Sequence, residues 1–340
     1  RLRPGESARV MTGAPLPEGA DAVIMLEQVQ LGDDPTQILL PEEFGLRSGQ
    51  NRLDRGREIH AGDSVLRAGD RLTPPRLGLL AALGRTSVRI HPAPQVAILP
   101  TGDELVEPGE QPAPGQIRNS NVTQLAAMAR VWGAIPQPLA IARDRDDDLD
   151  RGIGDGLNAD VLLVCGGVSA GAKDLVPAAL ARNGVRSVFH KVEIKPGKPL
   201  WFGIGPPRGT RPSALVFGLP GNPVSGLVGL LAFVAPVLDV LAGRAGQLAF
   251  PEDRAWTGRL DRPFAHRGDR PTYHPARWIR EPGRSESARI DPLDWAGSAD
   301  LRAVAAADGF ALFPRGDRDY PAGCDLAFLP LLPQTCVSGP

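Results

Sequence analysis

Cysteine is scarce in this 340-residue chain: Cys165, Cys324 and Cys336 lie far apart, with no CxxC pair among them. An odd count at such spacing argues against a disulfide framework and against a cysteine-held zinc site. Histidine is nearly as scarce, with five residues and none in an HExxH pattern. An excess of charge of either sign is also missing. Lys and Arg total 38 against 39 for Asp and Glu, so there is no basic field to hold nucleic acid. The opening stretch RLRPGESARVM has none of the apolar core of a signal peptide. Only residues 224–241 resemble a membrane span in composition, and they contain Pro236 and Asp239 directly after a strand and a turn. A buried helix is the expectation there, in a cytoplasmic protein without a membrane or nucleic-acid partner.

Glycine and proline are plentiful, at 40 and 35 residues, which favours short strands and turns over long helical bundles. The length accommodates two or three domains with cores of their own. Residues 1–50 alternate short apolar runs (SARVM, DAVIML, TQILL) with turn residues, as a small β-rich region would. Residues 51–91 hold HAGDSVLRAGDRL, read as two strand-like pieces. A helix over PPRLGLLAALG follows, with Thr73 as its cap and Gly84 as its end. From 92 to 245 buried strands alternate with helices, the pattern of a three-layer α/β domain with a mostly parallel sheet. Its strands are PQVAILP, DVLLVCGG and SALVFGLPGN, and its helices include NVTQLAAMARVWG, with Leu125, Met128, Ala129 and Trp132 on one face. Residues 246–340 return to strand alternation around one short helix, SADLRAVAAADG, and predict a small barrel or sandwich.

Three motifs fall at the carboxyl ends of predicted strands, where open α/β sheets bind their ligands. TGDEL follows the first strand and sets Gly102, Asp103 and Glu104 at the rim. GGVSAGAKD follows the second; its Gly166, Gly167 and Ser169 can offer backbone N–H groups to a phosphate. LPGNPVS follows the third, with Pro220, Gly221 and Asn222 in the turn and Pro223 opening a helix. That turn is either an ordinary strand-to-helix connection or a ligand site whose free N–H groups face an anion. Glu104, Asp103, Asp144 and Asp174 supply oxygen ligands of the kind Mg²⁺ prefers. For Asp144, within RDRDDDL, a solvated loop with Asp146 capping a helix is the competing reading. KVEIKPGKP adds Lys191, Lys195 and Lys198; in a strand, Lys191 and Lys195 would share a face. A phosphorylated ligand with a metal is the combined expectation, and Ser169 lacks a histidine partner in sequence that would make it a nucleophile.

SARVMTGAPLPEGADAVIMLEQV, TGDELVEPG, GQIRNSN, GGVSAGAKD, KVEIKPGKP and LPGNPVS occur in the order found in the molybdopterin molybdenumtransferases. The chain resembles these MoeA-type molybdenum insertases, relatives of the gephyrin C-terminal domain, over residues 1–245, and more loosely through ADGFALFPRGDRDYPAG. The resemblance implies a homodimer that takes adenylylated molybdopterin and molybdate, releases AMP, and leaves molybdenum on the pterin dithiolene. It implies neighbours in the molybdopterin adenylyltransferase and the acceptor molybdoenzymes. By resemblance, Glu104, Asp144 and Asp174 are acidic site positions that hold Mg²⁺. Lys191, Lys195, Pro220 and Pro223 match other site positions, and Thr12 matches the threonine of a facing domain. The family's Ser-x-x-Asp-Gly-Tyr-Ala motif has no match here, so an insertase lacking that segment is expected. A binding or scaffold role without insertion chemistry is the alternative expectation.

Overall fold

The computed structural model describes residues 1–34, 36–40, 44–168, 175–244, 255–279 and 289–332. The chain divides into two units, Arg1–Ala68 and Gly69–Pro340. In the first, β1 (Gln30–Leu31) and β2 (Ile38–Leu39) form an antiparallel hairpin. TQILL therefore supplies a strand, whereas SARVM and DAVIML join no ladder among the described residues. A strand requires a partner for its alternate N–H and C=O groups, and here a turn takes those groups instead. Val23 N–H donates to Gln50 O at 2.9 Å, and Asn51 Nδ2 donates back to Val23 O at 2.9 Å. HAGDSVLRAGDRL likewise forms no strand. Gly62 and Gly69 sit at φ +96° and +93°, and left-handed glycines turn the chain rather than extend it.

The second unit starts with α1 (Pro74–Ala82), which Pro opens as expected, although the Thr73 side chain makes no cap bond. The α/β domain then runs through β3 (Gln95–Pro100), β4 (Leu105–Val106), β5 (Ile117–Arg118), α2 (Ser120–Val131), β6 (Ile135–Pro138) and α3 (Asp146–Gly156). It continues with β7 (Val161–Cys165), α4 (Val176–Arg182), β8 (Arg186–His190), β9 (Trp201–Ile204) and β10 (Leu215–Leu219), and ends with α5 (Pro223–Gly229) and α6 (Ala235–Leu241). The sheet order is β6-β3-β7-β10-β9-β8. β6, β3, β7 and β10 are parallel neighbours, and β9 runs antiparallel between β10 and β8.

Continuous apolar strands are buried on both faces, and successive side chains divide between two cores. Val161, Leu163 and Cys165 pack with α2, α5 and α6, while Leu162 and Val164 pack with α3 and α4. The apolar stretch Pro223–Leu241 is one 19-residue helical run, long and apolar enough to cross a membrane, yet 72% of its 18-residue window is buried inside the protein. Between α5 and α6 the run widens to a π-turn, Leu230–Val234, closed by Ala235 N–H on Leu230 O. Pro236 explains it. Proline has no N–H for the preceding turn and its ring crowds the carbonyl four residues back. Asp239 is held by Arg244 at 2.7 Å, which is how a carboxylate is accommodated in that helix.

The last region is a closed five-stranded barrel, made of β11 (Trp256–Leu260), β13 (Thr272–Ile279), β14 (Arg289–Pro292), β15 (Gly309–Phe313) and β17 (Asp325–Pro330). A side pair, β12 (Phe264–His266) with β16 (Arg318–Tyr320), flanks it, and α7 (Leu301–Ala305) precedes β15. His274 lies between Phe264, Trp295 and Phe313. Its Nε2–H donates to Leu293 O at 2.8 Å. Burial pushes its pKa below the ordinary 6.5, reinforced by His266, Lys195 and Arg262 and opposed by the Leu293 hydrogen bond. Below that ordinary value an unfolded chain takes up a proton that the native ring refuses, so this stability is present above pH 6.5 and lost as pH falls. The melting temperature should therefore drop between pH 7 and 5. His274→Gln keeps an N–H for Leu293 and should flatten part of that drop, whereas a parallel profile would remove His274 as a cause.

Candidate functional site

Three loops leave the carboxyl ends of β3, β7 and β10 and tie to one another through backbone bonds. Thr101 N–H donates to Cys165 O, and Gly166 N–H donates to Leu219 O, both at 3.0 Å. They enclose a cavity of about 340 Å³ whose wall includes Thr101, Glu104, Gly167, Pro220, Gly221 and Asn222. The predicted convergence at the strand ends is what the structure contains.

Gly102 sits at φ +138°, and a Cβ there would run into the Glu104 carboxylate folded over it. Glycine at this position lets the carboxylate reach the cavity. Arg143 braces the loop from outside: its Nη1 donates to Leu105 O at 2.9 Å, Asp103 O at 3.2 Å and Gly102 O at 3.4 Å. One guanidinium nitrogen thus gathers three carbonyls that would otherwise repel one another. Asp144 N–H donates to Asp103 Oδ1 at 3.2 Å, which brings Asp144 beside the TGDEL loop. Asp146, expected as a helix cap, is instead the first residue of α3, with Arg145 at the cap position. Its carboxylate pairs with Arg182 at 2.8 Å, a stronger partner than a backbone N–H.

Gly166 and Gly167 occupy φ +107° and +62°, conformations that suit a nest of N–H groups. Ser169 and Asp174 lie outside the described residues. Cys165 lines the cavity, but burial pushes its thiol up to about 12, so it is no thiolate at neutral pH.

KVEIKPGKP departs from expectation. Lys191 and Lys195 share no strand face, because the segment is the connection between β8 and β9, with Lys191 left-handed at φ +75°. The reason lies in the barrel. Lys195 N–H donates to Pro271 O at 2.9 Å and Tyr273 N–H donates to Lys195 O at 2.8 Å, while Arg270 Nη1 donates to Ile194 O at 3.2 Å. Lys191 and Val192 N–H still bond to Leu200 O and Lys198 O, but from the Ile194 carbonyl onward the backbone groups are taken by residues 270–273 at the approach to β13. Pro199 of the same segment lines the cavity; Lys191, Lys195 and Lys198 do not form its wall.

Pro223 does open α5, and one N–H group at the helix start already has a protein partner. Val224 N–H donates to Ser298 O at 3.1 Å. Asn121, overlooked within GQIRNSN, donates through Nδ2 to Gly221 O at 2.7 Å and lines the cavity. Its place in the first turn of α2 was the available signal. Arg143 and Ser298 gave none. Thr12 is an exposed turn residue of the first unit.

Comparison with known proteins covers most of the chain. Family models match in order: "MoeA N-terminal region (domain I and II)" over residues 1–84, "Probable molybdopterin binding domain" over 97–240, and "MoeA C-terminal region (domain IV)" over 257–331. The molybdopterin molybdenumtransferase of Bacillus subtilis (strain 168) is 30% identical over 325 residues, which are 95% of this chain and 72% of that protein. The molybdopterin molybdenumtransferase of Nostoc sp. is 38% identical over 248 residues, 72% of this chain, and the chain spans 55% of that relative's length. A crystal structure of the molybdopterin biosynthesis MoeA protein from Pyrococcus horikosii superposes with a TM-score of 0.71 at 27% identity, covering 93% of this chain and 73% of that one. With three domain models in sequence, and a relative 30% identical matched over 72% of its length, this chain belongs to the MoeA family of molybdopterin molybdenumtransferases.

Proposed function

We propose that the cavity at the carboxyl edge of the sheet binds molybdopterin, and that the chain converts adenylylated molybdopterin and molybdate into molybdenum cofactor and AMP. The observation that supports this best is the meeting of TGDEL, GGV and PGN in one cavity, where a domain matched by a molybdopterin-binding model has its strand ends. The glycine-rich turn after β7 would receive phosphate on backbone N–H groups. Lys191 and Lys195 would attract the molybdate dianion and steady charge on the departing phosphate. Glu104 would orient the diphosphate.

Mg²⁺ belongs to the same reading. Among the described residues no three His, Cys, Asp or Glu side chains gather into a metal cage. Mg²⁺ usually keeps several waters and takes one or two carboxylates plus substrate phosphates. Glu104 on the cavity wall and Asp144 beside Asp103 fit that open donor set; Asp174, matched by resemblance, would join them. When bound, the ion would neutralise charge on the diphosphate. The reading also includes a homodimer in the cytoplasm, supplied by a molybdopterin adenylyltransferase and drained by acceptor molybdoenzymes.

AMP release from adenylylated molybdopterin, measured with and without molybdate, tests the proposal. Release that depends on molybdate is expected. A chain that binds no molybdopterin, or releases AMP regardless of molybdate, would overturn it.

A further inference from the structure

The segment between β14 and α7, residues 293–300, belongs to the barrel region yet reaches the PGNP loop that walls the cavity. It is fixed along its length. Leu293 N–H donates to Pro275 O at 2.9 Å, and Leu293 O accepts from His274 Nε2 at 2.8 Å. Trp295 packs on the core shared with α5 and β10. Asp300 accepts the Ala296 and Ala303 N–H groups, each at 3.1 Å. This closed turn presents Ser298 to PGNP through two bonds. Asn222 Nδ2 donates to Ser298 Oγ at 2.8 Å, and Val224 N–H donates to Ser298 O at 3.1 Å.

An asparagine in the position before a helix ordinarily turns its side-chain oxygen onto the second or third helical N–H. Asn222 does not. Ser298 O has taken the Val224 N–H, and Ser298 Oγ has taken the Asn222 amide N–H. Asn222 lines the cavity, and its Oδ1 is left out of helix capping. That oxygen is an acceptor for an N–H or O–H donor on a ligand.

We propose that Ser298 is a positioning residue for the molybdopterin site: it holds Asn222 in the orientation that accepts a hydrogen bond from the ligand, so the barrel region helps to build a site otherwise formed by the α/β domain. The inference rests on the molybdopterin reading given above. A first measurement needs no ligand. Solvent exchange of the Asn222 side-chain amide protons should be at least about 3-fold faster in Ser298→Ala than in wild type, for the loss of one hydrogen bond, and slow again in Ser298→Thr. Titration with molybdopterin should show about 3–10-fold weaker binding by Ser298→Ala, recovery in Ser298→Thr, and no added loss when Ser298→Ala is combined with Asn222→Ala. Unchanged amide exchange, or losses that add in the double variant, would overturn the positioning role while leaving the molybdopterin reading intact. Unfolding of Ser298→Ala would replace it with a structural role. Wild-type protein that fails to bind molybdopterin would overturn both.

Discussion

Glu104→Gln is expected to lower molybdate-dependent AMP release by at least about 10²-fold, the scale of losing one charge-stabilising group at a reacting centre. The melting temperature should hardly move. Glu104 is exposed at the rim, its carboxylate carries no ion pair among the described residues, and the loop beneath it is held through backbone carbonyls by Arg143. Gln is nearly the same size, so binding of molybdopterin should survive while turnover is lost. That separation is the content of the prediction. A Glu104→Gln protein with normal turnover would remove the residue from the chemistry, and one that unfolds would assign it to the fold.

Gly166→Ala should be the more damaging change to the site as a whole. The position combines φ +107° with a backbone neighbour: a Cβ there would stand 2.7 Å from Thr101 O and 3.0 Å from Thr101 Oγ1. A backbone oxygen cannot swing aside as a long side chain does, so the β3 and β7 loops would have to separate. The expected loss is about 3 kcal/mol of stability, from strain and displaced backbone together. Molybdopterin binding should fall with it, since Thr101 and Gly167 both line the cavity. Gly115→Ala is the control. Gly115 is also left-handed, at φ +86°, but a Cβ there meets nothing within 4 Å, so only the dihedral cost of about 1 kcal/mol remains. Equal losses from the two substitutions would show that the contact with Thr101 is immaterial.

Where local pattern has a direct physical meaning, the amino-acid order was enough. The runs in β3, β7 and β10 could be read as doubly buried strands because no polar residue interrupts them, and both cores share them as anticipated. Residues 224–241 were legible as a buried helix from Pro236 and Asp239, each costly in a lipid-facing span. Glycines at 102, 166 and 167 marked turns because their positive dihedrals suit few other residues. The short apolar runs of the first unit were less informative, since a run of apolar residues becomes a strand only when another segment offers a ladder.

Tertiary structure decided which of these pieces meet. Asn121 reaches Gly221 across 100 residues, Asn222 reaches Ser298 across 76, and Arg143 gathers carbonyls 38 to 41 positions away. Those contacts depend on the strand order β6-β3-β7-β10-β9-β8 and on where the barrel docks, and no short-range pattern specifies either. The same cause took Lys195 out of a β8–β9 ladder, because its backbone groups bond to Pro271 and Tyr273, while Lys191 stays bonded to Leu200 O in a left-handed turn. It also gave the Val224 N–H at the amino end of α5 a partner in Ser298 O. Sequence spacing placed the candidate motifs at the strand ends; the packing of the barrel against the α/β sheet determined which of their hydrogen-bonding groups are taken by the protein itself.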